Sequence, residues 1–202
     1  MSSWSTVTKR NVEKVPINFV DIETNWPWTG RHRIVEIWIG KYRHGVLQSE
    51  LPKELRLVNP ECSISERAIN LHGITEKFVR DCPTFGEISN RLVRFIGEDV
   101  IVAHNGARFD FPVIRNELRR CRHPIPRMRM LDTVLIGRRL LGFKNNKLDH
   151  LARIMRLPIS ERHRAKPDGV LVASVFYKMI GRIRRREGLR ILTVGQLLDS
   201  CL

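Results

Sequence analysis

No run of apolar residues in this 202-residue chain approaches the ~18 that a membrane-spanning helix needs. The opening stretch MSSWSTVTKR has no apolar core of the kind a secretory signal requires. Cysteine is sparse as well. Cys62, Cys82, Cys121 and Cys201 form no C-x-x-C pair, which argues against a structural zinc site. Without an export signal, reduced thiols in a cytosol-like compartment are expected. The sequence therefore reads as cytoplasmic or nucleoid/nuclear, not secreted, with no membrane partner. Repeats and low-complexity linkers are absent. Acidic charge is the last shortage, with 36 Lys and Arg against 21 Asp and Glu, a net +15. The imbalance is uneven. Residues 1–110 carry 15 basic and 14 acidic side chains, and residues 111–202 carry 21 and 7. A strongly basic half beside a balanced one points to a polyanionic partner, most often nucleic acid.

Hydrophobic content of 42% beside 28% charged residues suits one globular domain and excludes a disordered chain. Residues 1–14 are polar and mixed and read as a flexible tail, leaving 15–202 as a single domain. Residues 15–22 and 33–42 are rich in β-branched and aromatic residues and read as strands. Gly45 allows a hairpin into 46–51, and 54–58 reads as a further strand. The pattern then changes. Thr84 and Glu87 make a capping box ahead of a helix over 85–96. Residues 99–103, DVIVA, read as a buried strand. A helix over 111–122, a strand at 130–134 and helices near 148–155 and 170–180 follow. Thr193 with Gln196 caps a last one. A strand meander followed by alternating helices and strands predicts an α/β sandwich, a mixed sheet of about five strands flanked by helices.

Three short segments carry chemistry. Asp21 and Glu23 sit two apart at a strand end, so both face one side. Two carboxylates beside a hydrophobic run repel each other and are costly to desolvate. A wet strand end would tolerate them, and a hard divalent cation such as Mg²⁺ or Mn²⁺ would remove the repulsion. The second segment, residues 103–118, places Asp110 at a helix start, near the carboxyl edge of the sheet where α/β folds bind ligands. Alone, Asp110 would be a charge favoured by the helix dipole. In the third, residues 161–176, His163 lies in a loop and Asp168 opens a helix. His163 could be a surface side chain or a general base.

Taken in order, Asp21-Ile22-Glu23-Thr24, then His104-Asn105 with Phe109-Asp110, then His163 with Asp168, resemble the three motifs of the DEDDh 3′→5′ exonucleases. That family includes the proofreading subunit of bacterial replicative DNA polymerase, RNase T and oligoribonuclease. Residues 32–40 resemble its second strand and 71–79 its loop-helix segment, so the resemblance runs from residue 17 to about 180. It implies an RNase H-like three-layer fold and two divalent metals, Mg²⁺ with Mn²⁺ as a substitute. Asp21, Glu23 and Asp168 would ligate the first metal, Asp21 and Asp110 the second, and His163 would deprotonate the attacking water. The implied substrate is a single-stranded DNA or RNA 3′ end, and the product a nucleoside 5′-monophosphate.

The resemblance extends less firmly to substrate contacts by Thr24, His72, Ile74, His104, Asn105 and Phe109, with Ile74 near the bases. Asn25 and Trp26 replace the Thr-Gly that often follows the first motif. Trp26 or Trp28 could stack on a base, worth ~1–3 kcal/mol, or anchor the loop to the sheet. Arg115, Arg119, Arg120, Arg122, Arg127 and Arg129, with Arg162, Arg164 and Lys166, lie next to the second and third motifs and suit phosphate tracking. The run at 182–186 suits a solvated helix end equally well. A non-catalytic nucleic-acid-binding adaptor, and an exonuclease subunit of a larger complex, are the competing readings. Some relatives are dimers, which makes a homodimer a further expectation.

Overall fold

The computed structural model describes residues 4–26, 32–159 and 163–201. Its centre is a five-stranded mixed sheet. Strands β1 (Ile17–Thr24), β2 (Ile34–Arg43) and β3 (Val46–Glu50) form an antiparallel meander. Strands β4 (Val100–Ala103) and β5 (Arg129–Asp132) join in parallel on the far side of β1, giving the order β3-β2-β1-β4-β5. Both faces of the central strands are covered, which is why they read as continuous apolar runs. On one face, Phe85, Ile88 and Leu92 of α4 (Phe85–Ile96) and Ile114 and Leu118 of α5 (Asp110–Arg120) pack on Val20, Ile22 and Ile37. On the other, α6 (Thr133–Leu141), α7 (Leu148–Ile154) and α8 (Ala165–Arg186) build a core with Phe19 and Trp38. The result is the expected mixed sheet of five strands between helical layers.

Local chemistry sets several boundaries. The Thr84 hydroxyl accepts from the Glu87 amide while the Glu87 carboxylate accepts from the Thr84 amide, completing the expected capping box. Thr193 and Gln196 do the same for α9 (Val194–Asp199). A third, smaller core joins Val35, Ile64, Ala68, Ile74 and Val79 beneath α2 (Glu66–His72) and α3 (Glu76–Val79).

Three expectations need correction. Residues 4–14 are not a loose tail. Helix α1 (Trp4–Thr8) packs on α9, and Val12 is fully buried. The Val12 amide donates to the Leu192 carbonyl and the Val194 amide to the Arg10 carbonyl. Scattered valines gave little sequence signal, yet α9 needs an apolar cover and they supply it. Residues 54–58 are not a regular strand. After Pro52 the chain makes a 3-10 turn over Lys53–Leu55 and then touches β2 through a single bridge, Glu36 to Leu57. Finally, α8 begins at Ala165, with Pro167 in its first turn, where a missing N–H costs nothing.

Candidate active site

Pairing between β1 and β4 covers Ile17 to Phe19 only. Beyond it β1 runs on alone toward Thr24, opening a crevice at the carboxyl end of the sheet. Asp21 and Glu23 lie on the α8 side of β1, and α8 brings Asp168 to them. Ligand oxygens of Asp21, Glu23 and Asp168 all lie within 4.8 Å of one another. Gly169 makes that approach possible. A Cβ there would lie 2.3 Å from the Trp38 ring, so α8 could not sit this close to the sheet with any larger residue.

Glu23 shows the electrostatic cost. Burial, then the charges of Asp168, Glu36 and Asp110, push its carboxyl up to about 8 against a partial offset from Arg164. Asp110 is buried at the first position of α5. Burial and the Asp132 charge raise it, while its own amide and that of Ile22 hold it down. It stands outside the three-carboxylate cluster but close enough to act on Glu23.

His163 occupies an exposed, left-handed turn at φ 61°, and its amide donates to Asp168 Oδ2 at 3.1 Å. The turn therefore places the His163 backbone beside the Asp168 carboxylate. His104 Nδ1 lies 2.8 Å from the Thr133 hydroxyl, and Asn105 is left-handed at φ 61°. Phe109 meets His32 edge to face, with ring centroids 5.1 Å apart. The Thr24 hydroxyl donates to the Trp26 carbonyl, and Trp26 is 43% exposed at the rim. Trp28 and Arg162 lie outside the described residues.

Other expected contacts are structural instead. Ile74 is 1% exposed, in the third core, so it does not face a base. His72 is buried and bridges two segments: Nε2 faces the Thr24 carbonyl at 3.2 Å, and Nδ1 accepts from the Ile74 amide at 3.0 Å. Burial lowers its pKa, which suits that neutral, single-tautomer role. Arg164 grips Glu36 with two hydrogen bonds, at 2.7 and 3.0 Å, and is not a free phosphate contact.

Sequence reasoning missed four residues that shape the site. Glu36, opposite Glu23 across the β1–β2 pair, also accepts from the Ala165 amide and so fixes the start of α8. Asp132 accepts from the amides of Asn105, Ala107 and Val134, folding the second-motif turn. Asn25 accepts from the Arg33 amide and donates to the Ser63 carbonyl, closing the loop after the first motif. Gly169 is the fourth. Asp132 before an apolar helix was a readable N-cap signal; the other three make contacts too distant in sequence to leave one.

With this geometry in place, the family comparison is direct. An exonuclease family model, that of RNase T, matches residues 19–176. The chain belongs to the DEDDh exonuclease superfamily. Among relatives of this superfamily member, a PolC-type DNA polymerase III of Caldanaerobacter subterraneus is 31% identical over 165 residues, 81% of this chain and 11% of the polymerase. The DNA polymerase III epsilon subunit of Rickettsia prowazekii is 29% identical over 157 residues, 74% of this chain and 67% of the subunit. The chain thus spans about a tenth of the PolC-type polymerases it matches. Two solved structures share the fold. The nuclease domain of 3′hExo, a DEDDh family member bound to rAMP, superposes with TM-score 0.73 at 15% identity, covering 91% of this chain and 98% of that one. Exonuclease X in complex with 5′ overhanging duplex DNA gives 0.66 at 24%, with the same coverage. The DEDDh exonuclease fold accounts for the mixed sheet and for the carboxylates at its end.

Proposed function

We propose that this chain hydrolyses phosphodiester bonds from the 3′ end of single-stranded nucleic acid, one nucleotide at a time, releasing nucleoside 5′-monophosphates. The observation that carries this reading is the convergence of Asp21, Glu23 and Asp168 within 4.8 Å. A set of hard oxygen donors with mutually repelling charges, one of them pushed up to about 8 by burial and then by its acidic neighbours, fits a divalent cation. Asp21, Glu23 and Asp168 would hold one ion, and Asp21 with Asp110 a second. Mg²⁺ is the proposed ion, with Mn²⁺ substituting. Bound there, the ions would stabilise charge on the attacking and leaving oxygens of the displacement.

The chain's own residues supply the rest. The His163 ring, on its turn beside Asp168, accepts the proton of the attacking water at a ring nitrogen. Thr24 and Asn105, at the ends of the first- and second-motif turns, orient the terminal nucleotide. The Trp26 face offers a stacking surface for its base.

The test is cleavage of 3′-end and 5′-end labelled DNA and RNA strands of one sequence with Mg²⁺, Mn²⁺ or EDTA, beside Asp21→Ala. A metal-dependent ladder shortening from the 3′ end, absent in the variant, is expected. Retained binding without cleavage of either substrate would instead establish the adaptor reading. A second reading draws on the polymerase relatives: the same chemistry could serve as the proofreading or trimming part of a larger assembly. Co-purification with a polymerase whose misincorporation rate rises when Asp21 is replaced would support it.

A further inference from the structure

Cations near the carboxylates fall into two groups. On one side four basic residues have carboxylate partners. Arg164 pairs with Glu36, Lys166 with Glu50, and Arg33 and Arg120 with Glu61 and Glu117. These charges hold the protein together and are spent there. On the other side a cavity of about 750 Å³ opens between the second-motif turn, α6 and the loop from α6 to α7. Asp21 and Asp168 belong to its wall, together with Arg108, Arg138, Lys144 and Lys147. All four of these cations are exposed. Among the described residues none of them makes an ion pair or a side-chain hydrogen bond. Asp149, the one further carboxylate among the described lining residues, has a partner of its own.

The loop that carries the two lysines is built rather than loose. Gly142 caps α6 in the left-handed region at φ 68°. The buried Asn146 donates to the Phe143 carbonyl at 2.8 Å, and the Lys147 amide donates to Asn145 Oδ1 at 3.0 Å. Four like charges gathered around one fixed cavity repel one another, and no ion pair among the described residues offsets them. An external anion would. The cavity falls in the roughly 300–1,000 Å³ range of sites for sizeable ligands and exceeds what one phosphate would fill. Among the described lining residues there is no Phe, Tyr or Trp, so nothing stacks on bases. The exposed indole of Trp26 lines a separate hollow, which shares no residue with this one.

We propose that this groove takes two or three backbone phosphates of the substrate strand upstream of the scissile bond. The chain is then selective for oligonucleotides over dinucleotides, and indifferent to base sequence along that stretch. The inference rests on the exonuclease reading for its direction. The groove itself rests on unpaired charge and shape.

The test uses the full chain with Lys144→Gln/Lys147→Gln, and separately Arg138→Gln. Binding of a 5′-fluorescent 12-nucleotide single strand is followed by anisotropy in EDTA, so that no cleavage occurs, across a salt series. Each phosphate contact on a single strand contributes about 0.7 to the slope of log affinity against log salt. The double variant should flatten that slope by roughly 1 to 1.5. With metal, its KM for the 12-mer should rise by about tenfold or more at unchanged kcat, while cleavage of a dinucleotide stays within about twofold. An unchanged slope, or equal losses on dinucleotide and 12-mer, overturns the proposal. So does a loss confined to a duplex with a recessed 3′ end, since the groove would then hold the second strand. If the unmodified chain cleaves nothing but the variant still flattens the slope, the exonuclease reading fails and the groove stands as a binding site.

Discussion

The two flanks of the carboxylate cluster spend their charge differently. On the β2 side, Arg164 and Glu36 lock the first turn of α8 to the sheet, and Lys166 and Arg56 both reach Glu50. On the α6–α7 side, Arg108, Arg138, Lys144 and Lys147 make no ion pair among the described residues. Both flanks are basic in sequence. Only the structure separates cations that hold a helix in place from cations free for a ligand. Basic composition therefore locates a partner's charge but not the surface that meets it.

The largest expected effect falls on the centre that both flanks serve. Asp168→Asn replaces one oxygen of the cluster by an NH2 group and removes its negative charge, leaving one oxygen to accept from the His163 amide. Metal-assisted charge stabilisation is worth several kcal/mol, so single-turnover cleavage should drop by about 10³-fold. A drop under tenfold would place the chemistry elsewhere. Next, Glu36→Gln breaks the locked flank. It leaves a half-buried guanidinium and an amide short of a partner, at a cost of about 2 kcal/mol. Urea midpoints should fall accordingly, while the salt slope of strand binding should stay put. A flattened slope would mean that Arg164 contacts phosphate after all.

Trp26→Ala sharpens the comparison at the rim. Stacking on one base is worth about 1–3 kcal/mol, so single-strand affinity should weaken several-fold or more, equally for purine and pyrimidine ends. Unchanged affinity would leave the indole as a loop anchor. The smallest effect concerns pH. Burial, then the Asp168 charge, raises the Glu23 carboxyl from its ordinary 4.5 to about 8. Between those values the folded, metal-free chain binds more protons than the unfolded one, so this group's contribution to stability falls as pH rises. Glu23→Gln should flatten that dependence in thermal unfolding with EDTA. At pH 7, Mn²⁺ added to weakly buffered protein should release protons, and the release should fade above pH 8. Release that does not vary with pH would exclude Glu23 as the source.

Much of the fold was legible in sequence because its signals are local. The 99–103 run and the capping boxes at Thr84 and Thr193 appear where local patterning puts them, and the apolar strands read at 15–22 and 33–42 appear one or two residues later, at 17–24 and 34–43. The carboxylate cluster was legible through motif order. What escaped depends on contacts far apart in the chain: Glu36 reaching across 129 positions to the Ala165 amide, Gly169 yielding to Trp38, Val12 lying under α9. Periodicity carries no trace of such pairs. The same holds for Ile74, whose apolar character fits a wedge between bases as well as a core, and whose burial decides for the core.

The stitching of Arg10 and Val12 to Val194 and Leu192 brings the first helix and the last helix to one corner of the molecule. A folding unit whose entry and exit lie side by side can be spliced into a surface loop of another protein with little strain on the host. Joining residues 4 and 201 by a short flexible linker and opening the chain at an exposed turn such as His44–Gly45 should give a circular permutant that still folds around the same sheet. The domain is, in this sense, portable cargo, able to be carried as an insert as readily as on a chain terminus.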